Sequence, residues 1–148
     1  MSEVPTHSAL HVVKGAVVKV LGAEMTTSTY VSGRHGRLTV RFDRQATEDE
    51  VADVGRAAND KVMEDVEIAE FEMDRSEAEN HFGQKIYDAF PVPAGVERLR
   101  IVLIQDWNAN CCIERHVETT GQIGQIAIGK PRFRNAKREL EIEFDIVG

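Results

Sequence analysis

Residues 139–146 read Glu-Leu-Glu-Ile-Glu-Phe-Asp-Ile, acidic and apolar in strict alternation. A period of two puts Leu140, Ile142, Phe144 and Ile146 on one side of a strand and four carboxylates on the other. Such a strand requires a sheet with one wet face and an apolar cover laid across the dry one. The rest of the chain has to supply both.

The cover is legible near the start. Ala9, Leu10, Val13, Ala16, Val17, Val20 and Leu21 recur at three- and four-residue spacing, which predicts a helix over 7–21. Thr6, just after Pro5, is the expected N-cap, and Gly22 the expected stop. Thr47-Glu48-Asp49-Glu50 is a capping box that opens a second helix running to 63, with Val51, Val54, Ala58 and Val62 on one face. Asp74 is the expected cap of a short third helix over 74–80. Strands are expected at 29–32 and 38–42, joined as a hairpin by Gly33-Arg34-His35-Gly36, and again at 66–71, 99–104 and 123–128. Residues 89–95 and 106–121 read as loop, the latter polar and irregular. At 148 residues the chain can bury a sizeable core without disulfides. The expected fold is an α+β single-domain sandwich: a curved, mostly antiparallel sheet with helices packed on one side.

Several function classes recede. No apolar run is long enough to span a bilayer, and residues 1–10 lack a basic-then-apolar export pattern, so a cytoplasmic protein with no membrane partner is expected. Cys111 and Cys112 are the only cysteines and are adjacent, which is no disulfide framework. The net charge of −7 argues at first against a nucleic-acid partner. However, residues 47–79 hold 13 of the 25 acidic residues and only 3 of the 18 basic ones. The remainder has 12 acidic and 15 basic residues, a balance of +3. Lys130, Arg132, Arg134, Lys137 and Arg138 form the densest basic run. It reads equally well as a solvated turn and as a phosphate-binding surface.

His7-Ser8-Ala9-Leu10-His11 stacks two imidazoles on one helix face, about 6 Å apart along the axis. Alone, that is two ordinary surface histidines. Cys112-Ile113-Glu114-Arg115-His116 then offers a thiolate and a third imidazole, again four apart, beyond a buried strand. Three of the five histidines and one of the two cysteines fall in these two motifs. One sulfur and three nitrogens suit zinc, so His7, His11, Cys112 and His116 are the candidate ligands of a Zn2+ cofactor.

The two motifs, separated by about a hundred residues and followed by Thr120-Gly121-Gln122-Ile123-Gly124, resemble the editing domain shared by alanyl- and threonyl-tRNA synthetases. Residues 38–43 and Asp106-Trp107-Asn108 add to the likeness, which runs from about Thr6 to Phe144. The whole chain resembles the small freestanding relatives of that domain, the AlaX-type trans-editing proteins. The synthetase version has Cys-Gly-Gly-Thr-His where this chain has Ile113-Glu114-Arg115 between the cysteine and the histidine, as in the short freestanding subgroup. The family's metal ligands map onto His7, His11, Cys112 and His116, with Cys111 a bystander.

The resemblance implies that residues 1–148 form one zinc-binding tRNA-editing domain. It would hydrolyse the ester between a wrong amino acid and tRNA, with Ser-tRNA(Ala) the expected substrate of the short type. The partners implied are mischarged tRNA and, as a second candidate, alanyl-tRNA synthetase. A pocket for alanine cannot strongly reject serine, whereas a site that hydrogen-bonds the serine hydroxyl rejects alanine well. Met25-Thr26-Thr27-Ser28-Thr29 resembles the segment lining the family's amino-acid pocket, with Thr26 and then Thr29 the expected hydroxyl readers. Gly121 is expected to let the backbone approach the terminal adenosine. Arg34, Arg37, Lys130, Arg132 and Arg134 are the candidate tRNA backbone contacts. No dedicated general base is evident, so the catalytic group expected is a zinc-bound or zinc-oriented water. Asp106 is weighed as a group orienting a ligand imidazole and, more readily, as a loop cap. Trp107 reads as packing. Two other readings stand beside the enzyme: a non-catalytic module in which zinc is structural, and a thiol enzyme with Cys112 as nucleophile and His116 as base.

Overall fold

The computed structural model describes residues 3–148; Met1 and Ser2, part of the stretch read above for an export pattern, lie outside them. The first helix, α1, spans Val4–Leu21 and starts earlier than the apolar spacing predicts. Pro5 sits in its first turn, where a fixed φ and a missing N–H cost nothing. Thr6 is therefore inside the helix and not its cap. It is buried, and its Oγ1 donates to the Gly33 carbonyl at 2.6 Å. Gly22 ends the helix in the left-handed region at φ 70°, as expected.

Glu48–Glu64 form α2, opened by the complete Thr47–Glu50 capping box. The third helix, α3, spans Arg75–Phe82. Asp74 stands at its N-cap position without capping it, because its carboxylate accepts from Arg98 instead, at 2.8 Å. Among the described residues no helix is long and apolar enough to cross a membrane.

The α+β class and the antiparallel pairing are as expected, but the strands divide between two sheets. The larger contains β1 (Thr26–Ser32), β2 (His35–Arg41), β6 (Gln125–Ile128), β7 (Arg132–Arg134) and β8 (Glu139–Val147). Its order is β1-β2-β8-β6, with β7 also on β8. The alternation in β8 does what its period dictates. Leu140, Ile142, Phe144 and Ile146 are buried, and the first three pair with Val40, Leu38 and Gly36 of β2. Gly36 thus belongs to the strand and not to the turn: a side chain there would overlap the Phe144 ring.

The smaller sheet has β3 (Ile68–Asp74), β4 (Arg98–Ile104) and β5 (Asn108–Cys111), in that order. β5 falls in the stretch expected to be irregular. Its inward positions are Asn108 and Asn110, so it has no apolar alternation to betray it. Asp106, at φ 58°, turns the chain from β4 into β5. Trp107 then lies against Gly15 of α1, where a side chain would overlap the indole nitrogen, and donates to the Val12 carbonyl at 3.1 Å. One core joins α1, α2 and both sheets, from Val12, Val13 and Val17 to Leu38, Leu140, Val102 and Ile104. A second, smaller core lies on the other face of β3-β4-β5, under α3, around Ala78, Leu99 and Ile101. α1 therefore runs between the two sheets, with one of its faces turned to β4 and β5.

Candidate metal centre

The face of the small sheet turned to α1 carries one row across three strands. Glu70 of β3 pairs with Val102 of β4, which pairs with Asn110 of β5. Two inter-strand spacings place the Glu70 and Asn110 side chains on the order of 10 Å apart, with Val102 between them. Each accepts from one imidazole. His11, reaching in from α1, approaches the Asn110 Oδ1 with its Nδ1 at 3.2 Å. His116, from the loop after β5, approaches the Glu70 Oε2 with its Nδ1 at 2.7 Å. With Nδ1 donating in both rings, both Nε2 lone pairs are left free to bind.

The free ends converge. Cys112 Sγ lies 3.7 Å from His116 Nε2, and the His11 and His116 rings meet edge to face at a centroid distance of 4.8 Å. One donor atom from each of His11, Cys112 and His116 lies within 4.8 Å of the other two, which is the spacing of a shared cation. His7, one turn earlier on α1, is not among them; its Nε2 lies 3.9 Å from a carboxylate oxygen of Glu114.

The loop carrying Cys112 and His116 is tied down at several points. Arg100 of β4 donates to the carbonyls of Cys112 and Glu114, both at 2.7 Å, and pairs with Glu70 at 2.9 Å. The His116 amide donates to the same Glu70 oxygen at 2.9 Å. Ser8 of α1 accepts from the Val117 amide at 2.9 Å, pinning the residue after His116 to the helix.

Electrostatics suit a cation. Burial, and then the neighbouring His116, pushes His11 down to about 3. Burial also lowers His116, against the upward pull of Glu70. Burial would raise the Glu70 carboxyl, but the hydrogen bonds from His116 and Arg100 outweigh it and hold it below the usual range. Both imidazoles are therefore neutral near pH 7, the form a metal needs. Burial pushes the Cys112 thiol up, outweighing the Glu114 amide and the charge of Arg100, which pull it down, so a thiolate there would gain from an adjacent cation. Two neutral nitrogens, one sulfur and oriented Nδ1–H groups fit a metal ion of the zinc type.

Asp106 takes no part in orienting the ligands. Glu70, Arg100 and Asn110 do, and all three escape the sequence reading. Glu70 alone leaves a trace, as a charged residue in phase with buried Ile68 on an alternating strand.

The other candidate residues are spread over the fold. Thr26, on the inner side of β1, is buried, and among the described residues its hydroxyl has no hydrogen-bond partner. Its carbonyl accepts from the Ala89 amide. The next residue back, Asp88, pairs at 2.9 Å with Lys14 of α1, which lies just beyond His11. Thr29 is exposed on β1. Gly121 donates its amide to Asp65 at 3.0 Å, and Asp65 fills the space a side chain would take. Gly121 and Arg34 also line one cavity of about 500 Å3 with Pro5 and Thr6.

Arg37, Arg132 and Arg134 point to the face of the large sheet away from α1, among the carboxylates of β8. Arg37 lies opposite Glu143 and over the Tyr30 ring, Arg132 opposite Glu141, and Arg134 pairs with Glu141 at 2.7 Å. Lys130 is exposed at the turn before β7.

No protein-family model matches the chain. It is similar to alanine–tRNA ligases. It is 34% identical over 136 residues to that of Methanopyrus kandleri, 32% over 123 to that of Pyrococcus abyssi and 31% over 137 to that of Methanococcus aeolicus. These alignments take in 90%, 82% and 91% of this chain but only 15%, 13% and 15% of the ligases, so it spans a small part of their length. Across nearly its whole length, then, the chain is a homologue of one segment of the alanine–tRNA ligases.

Proposed function

We propose that this protein is a zinc-dependent hydrolase that removes a wrongly attached amino acid from tRNA, with Ser-tRNA(Ala) as substrate. The observation that carries the reading is the convergence of His11, Cys112 and His116 from opposite ends of the chain, in a homologue of alanine–tRNA ligases. Three protein donors, with His7 turned to Glu114, leave a coordination position of the kind catalytic zinc sites keep. A zinc ion held there supplies Lewis-acid chemistry to an ester.

The chain's own groups bind and orient. Glu70 and Asn110 hold the two imidazoles in the tautomer and direction that ligation requires. Arg100 and Ser8 fix the loop, so the donor geometry is set before substrate arrives. The buried, unpartnered Thr26 hydroxyl favours a hydrogen bond to a serine hydroxyl. An alanyl ester would leave it unpaired, which is how such a site tells the two apart. Arg34, which shares a cavity with Gly121 and the start of α1, is the first assigned contact to the tRNA end. Arg37, Arg132 and Arg134, set among carboxylates on the face of the large sheet away from α1, are weaker candidates for the tRNA backbone, as is Lys130 at the turn before β7. The thiol-enzyme reading is weaker, since the Cys112 thiol is raised and not activated.

The test is deacylation of Ser-tRNA(Ala) and Ala-tRNA(Ala) side by side, with zinc content measured in wild type and His11→Ala. The expected result is turnover of the seryl ester by the zinc-loaded wild type and its loss, with zinc, in the variant. Zinc-loaded protein that turns over neither ester would make the domain a non-catalytic module.

A further inference from the structure

We infer that Glu114 binds the α-ammonium group of the aminoacyl ester and so selects substrates with a free amino terminus. The inference rests on the reading above and names a recognition element within that site. Glu114 lies between Cys112 and His116, so its backbone belongs to the loop that carries two of the three converging donors. Arg100 grips its carbonyl at 2.7 Å, which fixes the backbone from which the side chain projects. The carboxylate crosses towards α1 and stands 3.9 Å from His7 Nε2, one helical turn before His11. It is half exposed, at 53%, and so faces a ligand arriving from solvent.

The nearby carboxylates are already engaged. Glu70 holds His116 and Arg100, and Asp88 holds Lys14. Among the described residues, Glu114 has neither lysine nor arginine on its carboxylate, and its one ion pair is the long contact to His7. An aminoacyl ester carries a primary ammonium group one carbon from the carbonyl that is attacked. A carboxylate on the loop that carries two of the donors, beside His7 one helical turn before the third, is the complement of that charge, and charge-assisted hydrogen bonds are the strong ones. Peptidyl and N-acylated esters lack the charge and would be passed over.

The test uses the serine amide of 3′-amino-3′-deoxyadenosine, a stable mimic of the seryl ester, and its N-acetyl derivative. Both are titrated into zinc-loaded wild type and Glu114→Gln, with zinc affinity measured for each protein. Wild type is expected to bind the free amine at least tenfold more tightly than the acetylated mimic. Glu114→Gln should narrow that ratio to within twofold at unchanged zinc affinity. A preference that survives in Glu114→Gln, or is absent from wild type, overturns the inference alone. So does a tenfold loss of zinc affinity in the variant, which would make Glu114 a ligand. Wild type that binds neither mimic and turns over no ester overturns this inference and the editing reading together.

Discussion

Replacing Glu70 tests whether the metal centre depends on groups that never touch the ion. One carboxylate oxygen accepts from His116 Nδ1 at 2.7 Å, from the His116 amide at 2.9 Å and from Arg100 at 2.9 Å. The first of these bonds sets the tautomer and direction of the imidazole. Losing such an outer partner costs about 10- to 100-fold in metal affinity, or ~1.4–2.7 kcal/mol. Glu70→Gln keeps an acceptor oxygen but loses the charge, which roughly halves the strength of each bond, so it should fall near the tenfold end. Glu70→Ala removes the acceptor and leaves Arg100 without its carboxylate, so it should fall near the hundredfold end. Zinc affinity is read by competition with a chromophoric chelator, and metal-free unfolding in urea shows whether the variant is still folded. Glu70→Ala binding zinc within twofold of wild type, while His11→Ala loses it, would refute the role assigned to the carboxylate.

Other outcomes follow from the same geometry. His11 is held at about 3 by burial, below its unfolded value of about 6.5, so its stabilising contribution is present above that value and lost as pH falls. Between pH 6.5 and 5 the metal-free protein should lose about 2 kcal/mol through this group, and urea titrations of His11→Gln should lack most of that slope. Thr26→Val removes a buried hydroxyl that has no partner, so stability should stay within about 1 kcal/mol while the preference for seryl over alanyl ester drops at least tenfold in side-by-side deacylation. Gly15→Ala, which would raise helix propensity at a free position, should instead destabilise by about 1–3 kcal/mol because Trp107 occupies the space, lowering Tm by roughly 5 °C in calorimetry. His7→Ala should reduce zinc affinity far less than His11→Ala in the same chelator competition, since only His11 sits in the converging group.

Much of the fold is written locally. The alternation of residues 139–146 and the Thr47–Glu50 box each depend on neighbours within a few residues, and both take the form their pattern dictates. The departures come where distant contacts decide. Trp107 explains Gly15, Phe144 explains Gly36, and neither pairing is visible along the chain. β5 escapes because its inward positions hold Asn108 and Asn110. Those two amides serve His11 and not the core, so the strand is obscured by the site itself. For the same reason the converging His11, Cys112 and His116 are readable from spacing, together with His7, which stands apart from them, whereas the groups that orient the imidazoles are not. Glu70 and Asn110 meet their imidazoles only once β3, β4 and β5 pair in register.

The most direct test is X-ray absorption at the zinc edge of the metal-loaded protein. The account predicts one sulfur at about 2.3 Å together with imidazole nitrogens at about 2.0–2.1 Å, and loss of the sulfur shell in Cys112→Ser. A zinc environment without sulfur, or one unchanged in Cys112→Ser, would contradict it.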